Sequence, residues 1–321
     1  MSAFDRVREP GPQFPRDRFV RTLLGVSMPE NELTDNAESG LSRRRFVHFS
    51  GLAGASVVLG RPDPAAAKPP PVPEPPTLPG GPDPAVCGSP TSNDPLWRDM
   101  LQCHSTNSCL QNGTDYVVMP GTGQGFENFI LVPTQRVNGI ECPWICESQA
   151  PNYWDAANYF STRPPTVVTA PVGLGINSQR ARMFDQLHIH MGEARGISKG
   201  DLEANQARAG KNLTEWADSR VSVRGVNEQG ATIPHTYRVL IWPGFSHDNL
   251  FDMLRTMLVH ALGQGATIID AQEQMRFQTL IVIPRNAGGY FIVNSELQLR
   301  DPSMRNLTGT NTCDPLLHLT S

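Results

Sequence analysis

Between Pro69 and Pro84 the chain carries nine prolines in sixteen residues. Proline lacks a backbone N–H and fixes φ, so such a stretch forms neither a helix nor the interior of a sheet. It favours extended polyproline II and acts as a stiff spacer. The chain therefore divides into an N-terminal segment 1–67, a proline-rich linker 68–94 and a folded domain 95–321. The last piece is long enough to bury a hydrophobic core of its own, with no metal or disulfide required for folding.

The N-terminal segment has the features of an address. Ser42-Arg43-Arg44-Arg45-Phe46 precedes an apolar, small-residue run, Phe49 to Gly60, and Ala65-Ala66-Ala67 follows. The uncharged run is shorter than the ~20 residues needed to span a bilayer. It fits the central region of a signal peptide, with the alanines as cleavage site. The arginine pair before Phe46 resembles the twin-arginine export signal. The expectation is export by the twin-arginine machinery to the periplasm or cell envelope, where association with the membrane is open to it. All six cysteines lie beyond this segment, which suits disulfide formation in an oxidising compartment. A zinc site is disfavoured, because Cys142-x3-Cys146 lacks the short knuckle spacing and no histidine lies nearby. With 27 Lys+Arg against 31 Asp+Glu the net charge is -4, which argues against a nucleic-acid partner.

The periodicity of the folded domain predicts an α+β fold with an antiparallel sheet. Tyr116–Met119 and Asn128–Pro133 flank a glycine-rich turn as a hairpin. Thr166–Ala170, Val172–Ile176, Thr236–Trp242, Thr279–Ile283 and Tyr290–Val293 have strand composition. Helices are predicted over 151–160, over 201–218, and from a cap at Ser246 to a stop at Gly263. Phe184 to Met191 alternates strictly: Leu187, Ile189 and Met191 face one way, Gln186, His188 and His190 the other.

Two imidazoles and an amide on one strand face can act together on a phosphate group. Neutral imidazole is a good nucleophile near pH 7. It can attack phosphorus and form a phosphoramidate, while neighbouring donors stabilise the charged oxygens. A polar strand face without chemistry has the same pattern. The isolated His104, His235, His247, His260 and His318 carry no comparable signal.

The neighbouring residues narrow the choice. Ile176-Asn177-Ser178, Arg182 and Gln186-Leu187-His188-Ile189-His190 resemble the signature of bacterial CDP-diacylglycerol pyrophosphatases, of the histidine-triad superfamily. The stretch Leu131 to Glu141 is similar to the same family's strand-and-turn motif, and Cys103 and Cys109 fall where family cysteines occur. The resemblance covers roughly residues 95 to 300. It implies a histidine-triad-like antiparallel sheet with flanking helices, and hydrolysis of CDP-diacylglycerol to CMP and phosphatidate in phospholipid metabolism, with no cofactor or metal. The partner it implies is a nucleotide-lipid substrate at a membrane surface. By position His188 matches the family nucleophile and His190 the third residue of the triad. Gln186 stands where the first histidine usually sits, so Gln186→His is expected to be tolerated. Asn177, Ser178, Arg182 and Arg136 are candidate substrate contacts, and Glu141 is expected to hold Arg136. The cysteine pairs expected are Cys103–Cys109, Cys142–Cys146 and Cys87–Cys313. Three rivals stay open: a histidine-triad enzyme for soluble nucleotides, a metal-dependent phosphodiesterase using His188, His190 and Asp185, and an exported binding protein without activity.

Overall fold

The structure is a computed structural model that describes residues 87–121 and 128–319, with backbone alone for 304–306. The twin-arginine motif, the alanine triplet and the proline run lie outside the described residues. The domain is α+β. Its main sheet runs β1 (Gln111–Asn112), β2 (Tyr116–Pro120), β3 (Phe129–Pro133), β5 (Ile189–Ala194), β4 (Val172–Ile176), β8 (Thr279–Pro284), β9 (Tyr290–Ser295), β7 (Thr232–Trp242), β6 (Val221–Val226). Every neighbouring pair is antiparallel, and the short β12 (Leu317–His318) also pairs with β5. A separate ribbon joins β10 (Arg300–Asp301) to β11 (Met304–Thr308).

The central strands are apolar on both faces because both are covered. Leu174, Ile189, Met191, Leu280, Val282 and Ile292 pack with Trp154, Trp216, Phe251 and Leu254 in the larger core. Ile281, Ile283, Val293 and Phe291 face the other way, against Leu202, Leu316 and Leu317. Each such side chain removed from water contributes about 1.5–3 kcal/mol. The helices are α1 (Pro95–Ser105), α2 (Tyr153–Phe160), α3 (Gly196–Ala204), α4 (Leu213–Asp218), α5 (Leu250–Leu262) and α6 (Ile268–Gln274). The hairpin and the strands at 172–176, 236–242, 279–283 and 290–293 form as the sequence predicts.

Four expectations need correction. The helix predicted from Ser246 starts later: Asn249 caps α5, its Oδ1 accepting from the Phe251 and Asp252 amides at 3.0 and 3.4 Å. Gly263 does end it, at φ +92°. The single helix over 201–218 is two. At Gly210 the backbone bonds to β7 through Val239 and Ile241, and a Cβ there would lie 2.4 Å from the Trp216 nitrogen. Asn212 then caps a new helix. Thr166–Ala170 is not a strand, because the Thr166 and Val168 amides bond back to Arg163 and Ser161. Finally, the strand predicted from Phe184 begins at Ile189. Before it, Gln186 bridges Asn138 and the Leu187 amide donates to Val137, so this stretch joins the 133–139 loop rather than the main ladder.

The cysteine pairing also differs in part. Cys103–Cys109 forms as expected, but Cys87 bonds to Cys142 across a Cα–Cα distance of 5.3 Å. Cys146 and Cys313 are free and buried. Cys146 belongs to the core on the helical face, whereas Cys313 packs beneath Gly175 on the other. Cys87–Cys142 spans 55 residues, so its loss should cost on the order of 4 kcal/mol by the chain-entropy argument. Replacing both residues by serine should lower the denaturant midpoint accordingly, and thiol counting on denatured, unreduced wild type should find two free thiols. A count of none would contradict this pairing.

Candidate active site

The two histidines sit at the entrance to β5. His188 Nδ1 lies 2.8 Å from the Gln186 carbonyl. A carbonyl can only accept, so Nδ1 carries the proton and Nε2 keeps its lone pair. The His190 ring meets that of His188 edge-on, with centroids 4.9 Å apart and planes at 76°. Burial lowers the His188 pKa; the nearby Arg182 lowers it further, while the Gln186 carbonyl, Asp94 and Asp314 oppose the shift. His188 is therefore neutral at pH 7, the form in which imidazole is nucleophilic.

His190 is pushed down to about 3, first by burial and then by His188. Its Nε2 is buried and unpartnered among the described residues. Between about pH 6.5 and pH 3 the unfolded chain binds a proton at this position and the folded protein does not. Stability from this group is present above pH 6.5 and is lost as pH falls through that window. His190→Phe, which keeps a ring but no titrating group, should flatten the acid-side fall of Tm. Superimposable Tm–pH curves would contradict the assignment.

The candidate Gln186 is buried, and its amide bonds to one loop. Oε1 accepts from Arg136 Nη1 at 2.9 Å and from the Val137 amide at 3.2 Å. Nε2 donates to the Pro133 and Gln135 carbonyls at 3.0 and 2.8 Å. The side chain thus fastens the 133–137 loop, and what it offers His188 is its main-chain carbonyl.

Asn177 follows directly on β4, whose Gly175 is level with His190. Its Oδ1 accepts from the Cys313 amide at 2.7 Å and the Thr312 hydroxyl at 3.0 Å. Ser178, next in the chain, is buried with an unpartnered hydroxyl. Arg182 is gripped by both oxygens of Glu141 at 2.6 Å and by Asp185 at 3.0 Å. Glu141 therefore holds Arg182, not Arg136. Burial lowers the Arg136 pKa, Asp94 and Asp185 raise it, and Arg182 lowers it. Arg136 bonds to Gln186, Val137 and Ser92 and closes no ion pair among the described residues. It is a buried cation whose neighbouring carboxylates, Asp94 and Asp185, make no salt bridge to it, which suits an anionic ligand.

Sequence reasoning missed two carboxylates and a strap. Asp94 caps α1 and accepts from the Gln186 amide at 3.3 Å. Asp314 takes a long hydrogen bond, 3.4 Å, from Asn177 Nδ2. Both act on His188 electrostatically. The strap is residues 311–319. Asn311 accepts from the Ser178 amide at 3.0 Å, and β12 pairs with β5. A Cβ on Gly175 would stand 2.6 Å from Cys313 Cβ, so only glycine there admits the strap. The available signal was Gly173 and Gly175 on one strand face, marking a backbone that approaches closely.

The family model for CDP-diacylglycerol pyrophosphatase matches residues 97–300. That span includes Arg136, Asn177, Arg182, His188 and His190 and stops before the strap. A probable CDP-diacylglycerol pyrophosphatase of Mycobacterium leprae (strain TN) is 41% identical over 68 residues, 20% of this chain and 25% of the relative. The chain thus spans about a quarter of the length of that curated relative. With the family match extending over well more than half of its residues, this chain belongs to the CDP-diacylglycerol pyrophosphatase family.

Proposed function

We propose that the protein hydrolyses CDP-diacylglycerol to CMP and phosphatidate through a covalent nucleotidyl intermediate on His188. The family supports the substrate. The observation that carries the mechanism is the 2.8 Å contact between His188 Nδ1 and the Gln186 carbonyl, which favours the Nδ1–H tautomer and leaves Nε2 as a neutral nucleophile. The Nε2 lone pair attacks the phosphorus of the cytidylyl group. The bond to the bridging oxygen breaks, and phosphatidate leaves with that oxygen and its electron pair. The modified imidazole is cationic while the P–N bond lasts, which makes it a good leaving group. Water then attacks the same phosphorus, the P–N bond breaks with its electrons returning to Nε2, and the water proton goes to solvent.

Arg136 suits the diphosphate better than Arg182, because Arg182 is already neutralised by Glu141 and Asp185. Asn177 acts by keeping the strap against the histidine face. On this reading the antiparallel sheet, with its histidines at the start of a central strand, is histidine-triad-like. The experiment is CMP release from CDP-diacylglycerol by purified protein, with and without EDTA, beside a water-soluble CDP-alcohol. Release that withstands EDTA and favours the lipid supports the proposal. No release from either substrate contradicts it. The same reading has the protein exported through Arg43 and Arg44 to act at a membrane surface, which fractionation of cells producing the full chain tests.

A further inference from the structure

At one end of the main sheet the C-terminus of β4, the N-terminus of β8 and the C-terminus of β9 come together. A cavity of about 240 Å³ opens there, lined by Ser178, Arg180, Gln274, Phe277, Gln298 and Asn311 among others. Its link to the histidines runs along β4: Ser178 in its wall stands two residues past the end of the strand whose Gly175 is level with His190. From this geometry we infer that the cavity is the nucleoside subsite, taking the pyrimidine and ribose of a cytidine nucleotide. The inference rests on the reading of the chain as a nucleotide-lipid hydrolase.

Three features of the cavity point to that ligand. The Ser178 hydroxyl is buried and has no partner among the described residues, an arrangement that is costly unless a ligand satisfies it. Phe277 supplies a ring with the guanidinium groups of Arg180 and Arg276 at 5.7 and 5.5 Å from its centroid. Both guanidinium groups lie over the ring, so a planar base stacking there would take the place of one of them and leave that arginine for an anionic phosphate. Gln274, Gln298 and Asn311 bring three side-chain amides, each both donor and acceptor, which match the amino group, ring nitrogen and carbonyl of cytosine. The one carboxylate in the wall, Glu296, is held by Arg238 at 2.8 Å and Gln278 at 3.2 Å, so its charge is compensated. The volume falls below the ~300–1,000 Å³ usual for drug-sized ligands and suits a nucleoside rather than acyl chains.

The test is calorimetric titration of CMP into the wild-type full chain and into Phe277→Ala, Phe277→Tyr, Gln298→Ala and His188→Ala. Wild type should bind CMP, and His188→Ala, which loses the imidazole facing the phosphate, should bind it more weakly. Phe277→Ala should weaken binding about tenfold or more, the scale of a lost stacking platform, whereas Phe277→Tyr should keep it. Gln298→Ala, at an exposed position, should weaken CMP without lowering Tm, and should raise KM for CDP-diacylglycerol more than it lowers kcat. Glycerol 3-phosphate should not compete. Wild type without CMP affinity, or CMP affinity indifferent to both Phe277→Ala and Gln298→Ala, overturns the subsite. CMP binding that depends on Phe277 in a protein with no hydrolytic activity leaves the subsite standing and removes the hydrolase reading instead.

Discussion

His188→Ala is expected to lower the rate of CMP release by about 10⁴-fold or more, the scale on which enzymes lose a covalent nucleophile. The residue is buried, neutral at pH 7, and oriented by its own Nδ1–H bond to the Gln186 carbonyl. No other described group near it combines a free lone pair with this orientation; His190 is more exposed than His188, but its unpartnered Nε2 is buried. His190→Ala should be milder, roughly 10²–10³-fold, because it removes a neighbour that fixes the His188 ring rather than the attacking atom. The pH profile follows from the same contacts. A lowered His188 pKa keeps the neutral form populated below pH 6.5, so activity should persist on the acid side and fail only as His188 protonates. Near-normal turnover in His188→Ala together with a dead His190→Ala would transfer the nucleophilic role to His190.

The second large effect is at Gln186. Its identity as a stand-in for a triad histidine predicts that Gln186→His is harmless. The structure argues the opposite. The amide satisfies two acceptors and two donors at once, and an imidazole has only two ring nitrogens. At least two of the four groups, which are the Arg136 guanidinium, the Val137 amide and the Pro133 and Gln135 carbonyls, would lose this partner. At about 1–3 kcal/mol for each unsatisfied group, and more for a charged one, the loss should be about 3–5 kcal/mol. Gln186→His should therefore lower the denaturant midpoint strongly and reduce activity through a displaced 133–137 loop. Gln186→Glu should be similarly harmful, because the Pro133 and Gln135 carbonyls would face a carboxylate. Unchanged stability in both variants would show that the loop does not depend on this side chain.

The sequence made legible what depends on local periodicity. The alternation around Ile189, the two apolar runs of β8 and β9 and the amphipathic face of α5 are one-dimensional signals, and each corresponds to an element. The failures are places where a distant partner decides. Gln186 is polar in a strand-like pattern, but the loop 49–53 residues upstream takes its side chain. The sequence reading pairs Cys87 with Cys313 and Cys142 with Cys146, yet the folded loop brings Cys142 to Cys87 and leaves the other two on opposite faces of the sheet. Glu141 precedes Arg182 by 41 residues and pairs with it, not with the nearby Arg136. The strap at 311–319 has weak periodicity of its own and is recruited by glycines on β4. Of the candidate residues, His188 and His190 come together in ring contact, Asn177 and Ser178 bond to the strap, and Arg136 and Arg182 acquire quite different electrostatic surroundings.

The central claim is a nucleotide bonded to His188 Nε2. The most direct test is rapid quenching of the full chain with CDP-diacylglycerol labelled in the cytidine, followed by peptide mapping of the modified residue. The account predicts label on His188, lost in acid as a phosphoramidate should be, and absent from His188→Ala. Label on another residue, a bound phosphatidyl group in place of CMP, or full turnover with no adduct at any quench time would contradict it.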